Sequence, residues 1–209
     1  MKDPKLIVSD AYDQIAERYL EWRARQPRQE EFARWLGLLR DYVRHGAQVL
    51  DIGCGAEIPL TLALSKTFDV TGVDISARQI ELAGRNVPAA RFIQGDMTTL
   101  DFAPASFDAA VASYSLFHVP RAEHVGLFRS IARWLRPDVV LLANFGVGNR
   151  EVDYDEDWLG VPQFWSSFDA DGERAALGAA GFALVFDSIE TIIEDGCPHP
   201  FLLVLARKP

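Results

Sequence analysis

Cysteine is nearly missing from this chain: 209 residues carry two, Cys54 and Cys197, with no CxxC pair and no histidine at ligand spacing beside either. That argues against a disulfide framework and a zinc site, and it makes a reducing cytoplasm the expected compartment. Positive charge is also scarce. With 21 Lys and Arg against 30 Asp and Glu, the formal charge is -9, and no basic footprint exists for long stretches of phosphate. Nucleic acid is therefore not an expected partner. Nowhere do 18 consecutive apolar residues occur, so no membrane span is expected. Residues 1–9 place Lys2, Asp3, Pro4 and Lys5 before a very short apolar run, which is neither a secretory nor a targeting leader. Repeats and low-complexity tracts are absent, and the length is near that of one domain.

What is present is an ordinary globular composition, 49% hydrophobic and 24% charged, with 13 Phe, 5 Trp and 5 Tyr, enough to bury one sizeable core. Tyr12, Ile15, Tyr19 and Trp22 recur at helical spacing from Ala11 to about Arg25, with Ser9 or Asp10 as cap. A second helical pattern, Phe32, Trp35, Leu36, Leu39 and Val43, follows Pro27 and stops at His45-Gly46. From Ala47 the period changes. Short, nearly continuous apolar runs at Gln48 to Ile52, Asp69 to Val73, Arg91 to Gln94, Phe107 to Ala112 and Val139 to Phe145 read as buried parallel strands. Helical stretches lie between them, at Pro59 to Lys66, Ser76 to Asn86 and Arg121 to Leu135, and the alternation predicts a doubly wound α/β sheet. Glu151 to Asp157, five acids in seven residues, opens a long link. A helix over Asp169 to Ala180 and two strand-like runs, Phe182 to Ile193 and Phe201 to Ala206, then end in an antiparallel hairpin.

The strand Val49-Leu50-Asp51-Ile52 runs into the turn Gly53-Cys54-Gly55-Ala56-Glu57, and Pro59 suits the first turn of a helix. Glycines there let the backbone approach a ligand and adopt dihedrals closed to other residues. The dinucleotide fingerprint G-x-G-x-x-G fails because its last position is Ile58, which leaves a Rossmann-like nucleoside site. Asp74 closes the second strand, where a carboxylate can accept from ribose hydroxyls. Asp96 follows the third strand in Gln94-Gly95-Asp96-Met97; its carboxylate can accept from an exocyclic amine while Met97 packs on a ring.

Taken together, Asp51-Ile52-Gly53-Cys54-Gly55, Gly72-Val73-Asp74, Gly95-Asp96-Met97, Ser106-Phe107-Asp108 and Leu135-Arg136-Pro137 resemble the class I S-adenosylmethionine-dependent methyltransferases in motif and order. The resemblance covers roughly Ala47 to the C-terminus. It implies a seven-stranded Rossmann-like sheet with the last strand antiparallel, flanked by helices, and S-adenosylmethionine as cofactor. It also implies cofactor contacts from Asp51, Gly53, Gly55, Asp74 (ribose), Ile75, Asp96 (adenine), Met97 and Ser113, with Tyr12 covering the cofactor from the N-terminal helix. Where the family has a third glycine this chain has Glu57, which is expected to be tolerated.

The segment Ser113-Tyr114-Ser115-Leu116-Phe117-His118 is the one that in this family borders cofactor and acceptor. It lacks the Asn-Pro-Pro-Tyr type of sequence used on nucleic-acid amines, and it offers no acid to start a catechol-type metal site, so no metal is expected. A small-molecule acceptor is expected instead. His118 is either a general base or a brace for the loop before Pro120. Tyr114, Trp158, Phe164 and Trp165 are candidate acceptor contacts, the last three in an aromatic lid over 151–168 or in a loop packing its own underside. One domain is expected over residues 1–209, with 1–45 as helical cap and 46–209 as core. Loss of methyl transfer in favour of a regulatory binding role, or a non-methylating reaction on the same scaffold, are the alternative functions.

Overall fold

In a computed structural model, which describes residues 2–26, 28–56 and 59–209, the alternating pattern becomes a seven-stranded sheet. Its strands are β1 (Gln48–Ile52), β2 (Asp69–Asp74), β3 (Arg91–Gln94), β4 (Phe107–Ala112) and β5 (Leu135–Gly146). An antiparallel ribbon follows, made of β6 (Arg150–Trp158) and β7 (Val161–Ser167), and then β8 (Ala183–Glu194) and β9 (Cys197–Arg207) return to the main sheet. The spatial order is β3-β2-β1-β4-β5-β9-β8, parallel through β5, with β9 antiparallel to both neighbours.

Strand residues alternate between two cores, as the period of two demands. Leu50, Ala110, Leu141 and Val204 point to one face, which is covered by α5 (His124–Trp134) and α6 (Ala170–Ala179). Val49, Val70, Ala109, Leu142 and Leu203 point to the other, against α2 (Gln29–Arg40) and α3 (Leu60–Ser65). The first helix, α1 (Pro4–Ala24), packs against α4 (Ala77–Asn86) and β7. No helix among the described residues is long and apolar enough to cross a membrane.

Three of the differences from the sequence expectation bear on the site. First, α1 begins at Pro4 rather than Ala11: the Asp3 carboxylate accepts from the Lys5 amide and Pro4 takes the N1 position, where its missing N–H costs nothing. Second, the link over 151–168 is paired backbone. Charges at Glu151, Asp153, Asp155 and Asp157 alternate with Val152 and Tyr154, a strand period, and the ribbon turns at Leu159-Gly160, both at positive φ. Third, the terminal hairpin closes through two residues only, Asp195 (φ +48°) and Gly196 (φ +79°), the left-handed pair that matches strand twist.

The far end of the ribbon is tied to the core by a buried pair. His124 Nδ1 lies 3.1 Å from Glu173 Oε2, its Nε2 lies 3.1 Å from the Val119 carbonyl, and Glu173 Oε1 accepts from the Phe168 amide. Both side chains are fully enclosed. Removing one member of such a pair leaves a buried polar group without its partner, so Glu173→Ala should lower unfolding free energy by about 3–5 kcal/mol, read from urea denaturation.

Candidate functional site

The chain leaves β1 by a turn that only glycine can make. Gly53 has φ +71° and Gly55 φ +57°, and the amides of Gly53 and Cys54 both donate to the Val73 carbonyl at 2.8 and 2.9 Å. A Cβ on Gly53 would stand 2.2 Å from Ser115 Cβ. Ser115, just beyond the end of β4, donates through Oγ to the Ile52 carbonyl at 2.7 Å, so the ends of β1 and β4 touch where a side chain would not fit. Asp74 locks the same turn from β2, accepting from the Gly55 amide at 2.8 Å and the Ser76 amide at 2.9 Å. Asp51 is placed differently from expectation. It is 1% exposed, accepts from Thr61 Oγ1 at 2.6 Å, and supports α3 beneath the turn rather than lining a cavity.

Above the turn lies an inner cavity of about 60 Å³, walled by Gly53, Gly55, Asp74, Ile75, Met97 and Ser113, with Tyr114, Ser115 and His118 beside them. Its roof is α1, through Val8, Tyr12, Tyr19 and Arg23. Gln79, in the first turn of α4, completes the wall; it is 1% exposed, and among the described residues neither its Nε2 nor its Oε1 has a partner. Leaving such groups unpaired costs roughly 1–3 kcal/mol each. Asp96 does not line this cavity. Its Oδ1 accepts from the amide and hydroxyl of Thr98, both at 2.8 Å, and its Oδ2 pairs with Lys5 Nζ of α1 at 3.1 Å.

An outer cavity of about 620 Å³ shares Tyr12, Tyr19, Arg23, Tyr114 and His118 with the inner one. Its walls add five aromatic rings, Trp22, Phe117, Trp158, Trp165 and Phe201, and the charged side chains of Arg150, Asp153, Asp155 and Glu194. Trp158 meets Tyr12, Tyr19 and Trp165 with centroids 5.7 to 6.0 Å apart, so the ribbon contributes the wall facing α1. Phe164 does not; its ring is buried under the ribbon against Tyr154, and only its carbonyl faces His118. Tyr114 sits at φ +53° with the Arg28 guanidinium 4.0 Å from its ring centre and its hydroxyl on Glu31.

His118 joins three elements. Its Nδ1 donates to the Phe164 carbonyl at 2.8 Å, which leaves Nε2 unprotonated to accept from the Tyr12 hydroxyl at 2.9 Å. Burial drives its imidazole down to about 4 against the opposing pull of that carbonyl, and burial pushes the Tyr12 phenol well up. The ring is neutral at pH 7.

A larger groove of about 1,320 Å³ lies apart from the strand ends, between α2 and the β8–β9 tip; there Arg28 pairs with Glu194 and Arg34 with Glu190. Among the described residues no group of three or more His, Cys, Asp or Glu is placed to hold a metal. Sequence reasoning passed over Val8, Arg23, Gln79 and Ser115. Val8 and Arg23 were legible at helical spacing with Tyr12 and Tyr19, once α1 is extended to Pro4. Gln79 and Ser115 carried no signal of their own. Glu57 and Ile58 lie outside the described residues.

Residues 49–138 match a family model described as a methyltransferase domain. The chain is 38% identical over 102 residues to 27-O-demethylrifamycin SV methyltransferase of Amycolatopsis mediterranei, covering 46% of this chain and 37% of that one. It is 30% identical over 195 residues to a sterol 24-C-methyltransferase of Gibberella zeae, covering 80% and 49%. It thus spans half or less of each relative's length. Among solved structures, magnesium protoporphyrin IX methyltransferase of Synechocystis, with bound S-adenosylmethionine, superposes with a TM-score of 0.73 at 18% identity over 98% of both chains; that likeness concerns the fold.

The state of His118 sets a pH dependence. Its folded value lies below the ordinary 6.5, so between about pH 6.5 and 4 the unfolded chain binds the proton and the folded chain does not. Stability contributed by the neutral ring is present above that window and is lost as pH falls through it. The drop to about 4 corresponds to roughly 3 kcal/mol. Thermal unfolding followed from pH 7 to 4 should show a falling melting temperature, and His118→Asn should flatten that part of the curve.

Proposed function

We propose that the chain is a class I S-adenosylmethionine-dependent methyltransferase, as the match of residues 49–138 to a methyltransferase-domain model supports, and that residues 1–209 act as one domain that methylates a small-molecule acceptor. The observation that carries this reading is the pair of cavities meeting at Tyr12 and His118, one at the glycine turn and one lined by aromatic rings. The residues present fit the cofactor. Gly53 and Gly55 leave room and backbone for its methionine end, Asp74 offers acceptor capacity to a ribose, and Met97 and Ile75 give apolar faces to a purine. When bound, the cofactor supplies a methyl group on a sulfonium, a good leaving group for in-line displacement.

The inner cavity as it stands is smaller than the roughly 300–1,000 Å³ of ordinary ligand pockets. Its roof must lift for a nucleoside to enter. The same movement frees Asp96 from Lys5, giving the carboxylate that the family resemblance assigns to adenine. Ser9, whose Oγ donates to the Ile75 carbonyl at 3.4 Å, and Asp13, which accepts from Ser76 Oγ at 2.5 Å, hold the roof down.

Proximity accounts for the chemistry proposed here: the shared wall holds an acceptor atom against the methyl group, and well-oriented displacement needs no strong base. His118 serves as a brace, because its Nε2 is engaged by Tyr12 and its basicity is low. The aromatic walls favour a flat, largely apolar acceptor. Relatives named for a rifamycin and a sterol are in keeping with that choice.

Calorimetry with S-adenosylhomocysteine tests the cofactor half: the parent should bind and Asp74→Ala should bind at least ten-fold more weakly, the loss expected for one charge-assisted hydroxyl contact. Absence of heat from the folded parent would refute the reading. For the acceptor half, Trp158→Ala should raise KM for an acceptor found by screening phenols, carboxylates and amines, while affinity for S-adenosylhomocysteine stays within two-fold.

A further inference from the structure

Among the described residues, Gln79 is the one buried side chain at the inner cavity whose polar atoms all lack a hydrogen-bond partner. It stands third in α4 after the cap Ser76, whose hydroxyl accepts from the Gln79 amide at 3.1 Å. A glutamine at this position ordinarily reaches back to the N–H of the cap residue. Here that N–H is already donated to Asp74 Oδ1 at 2.9 Å. The start of the helix is further fixed from α1, where the Asp13 carboxylate accepts from Ser76 Oγ and from the Arg78 amide at 3.0 Å. With its usual partner taken, the Gln79 carboxamide is 1% exposed and without a partner among the described residues, on a residue that lines the inner cavity with Asp74, Ile75, Val8 and Tyr12. An apolar side chain of the same length would satisfy that packing at no polar cost.

We propose that Gln79 is a second ribose-binding residue, acting beside Asp74 on the vicinal diol of the S-adenosyl cofactor; the assignment rests on the methyltransferase reading. The chemistry of the two groups is complementary. Asp74 is acceptor-only and already takes two backbone N–H groups, so it uses hydroxyl hydrogens and leaves the hydroxyl oxygens unserved. Gln79 Nε2 brings a donor for one of those oxygens, and Oε1 brings an acceptor for a hydroxyl hydrogen that Asp74 does not take. A carboxylate alone does not tell a diol from any other donor pair. A carboxylate beside a carboxamide demands groups that both donate and accept, which is what a ribose presents.

The test is Gln79→Met, which keeps length and packing and removes both polar atoms, measured in the full chain. Titration with S-adenosylhomocysteine should show affinity reduced about ten-fold, while the melting temperature of the free protein is unchanged or higher because an unpaired buried amide has gone. Adenosine, 2′-deoxyadenosine and 3′-deoxyadenosine then separate the contact: the parent should prefer adenosine over at least one deoxy form, and Gln79→Met should lose that preference. Equal affinity of parent and variant for S-adenosylhomocysteine would overturn the assignment while leaving the methyltransferase reading intact. A parent that binds no S-adenosylhomocysteine would overturn both. A variant that binds weakly to all three nucleosides in the same ratio as the parent would make Gln79 a packing residue only.

Discussion

Between β1 and β4 the winding of the sheet reverses: β2 and β3 lie to one side of β1, β4 and β5 to the other. Helices leaving the two strands part in opposite directions, and a crevice opens at their carboxyl ends. The closeness of the strands at that point sets the terms for the rest of the site. Ser115 presses on Gly53 so tightly that no Cβ fits, the glycine turn is pinned to Val73 and Asp74 of β2, and Asp74 in turn caps the start of α4. A change at any one of these positions reaches the others through backbone hydrogen bonds.

The crevice is closed by a helix that belongs to neither half of the sheet. From its first turn to its last, α1 gives Lys5 to Asp96, Ser9 to Ile75, Tyr12 to His118 and Trp22 to Asp195. Beside these polar bonds α1 buries Ala11 and Ile15 against Val161 of β7, and Ala16 against Ala56 and Leu82, in two small clusters separate from the cores of the sheet. Because those clusters are small and separate, α1 can part from the crevice while the two large cores of the sheet keep their packing. The ribbon β6–β7 extends the same design outward. Asp153, opposite Trp165, and Asp155 line the outer cavity together with Trp158 and Trp165, so the face this short element turns inward is both aromatic and acidic.

How much of this was legible in the sequence depends on where each signal resides. Strands β1 and β4 have the limits read from their apolar runs, because a doubly covered strand cannot hide its composition. The glycine turn, Asp74, Ile75, Met97, Ser113, Tyr114, Tyr12 and His118 come together at the cavities, since their spacing is dictated by strand ends. The ribbon reads in the sequence as a lid or a packing loop rather than as paired strands, because five acids in seven residues mask the alternation of Val152 and Tyr154 between them. Asp51 and Asp96 carry family motifs, yet their carboxylates are bonded to Thr61 and to Thr98 and Lys5, partners that lie on other elements. Gln79 could not have been found at all, because its role follows from Asp74 having taken the partner that local sequence would assign to it.

The central claim is that the strand-end crevice under α1, rather than the larger groove beside α2, receives the cofactor. Amide hydrogen exchange with and without saturating S-adenosylhomocysteine addresses it directly. The account predicts slower exchange at residues 53–56, at the start of α4 from Asp74 to Ile80, and along α1. Slowing confined to Glu190–Gly196 and α2, or no change anywhere while the nucleoside is bound, would contradict it.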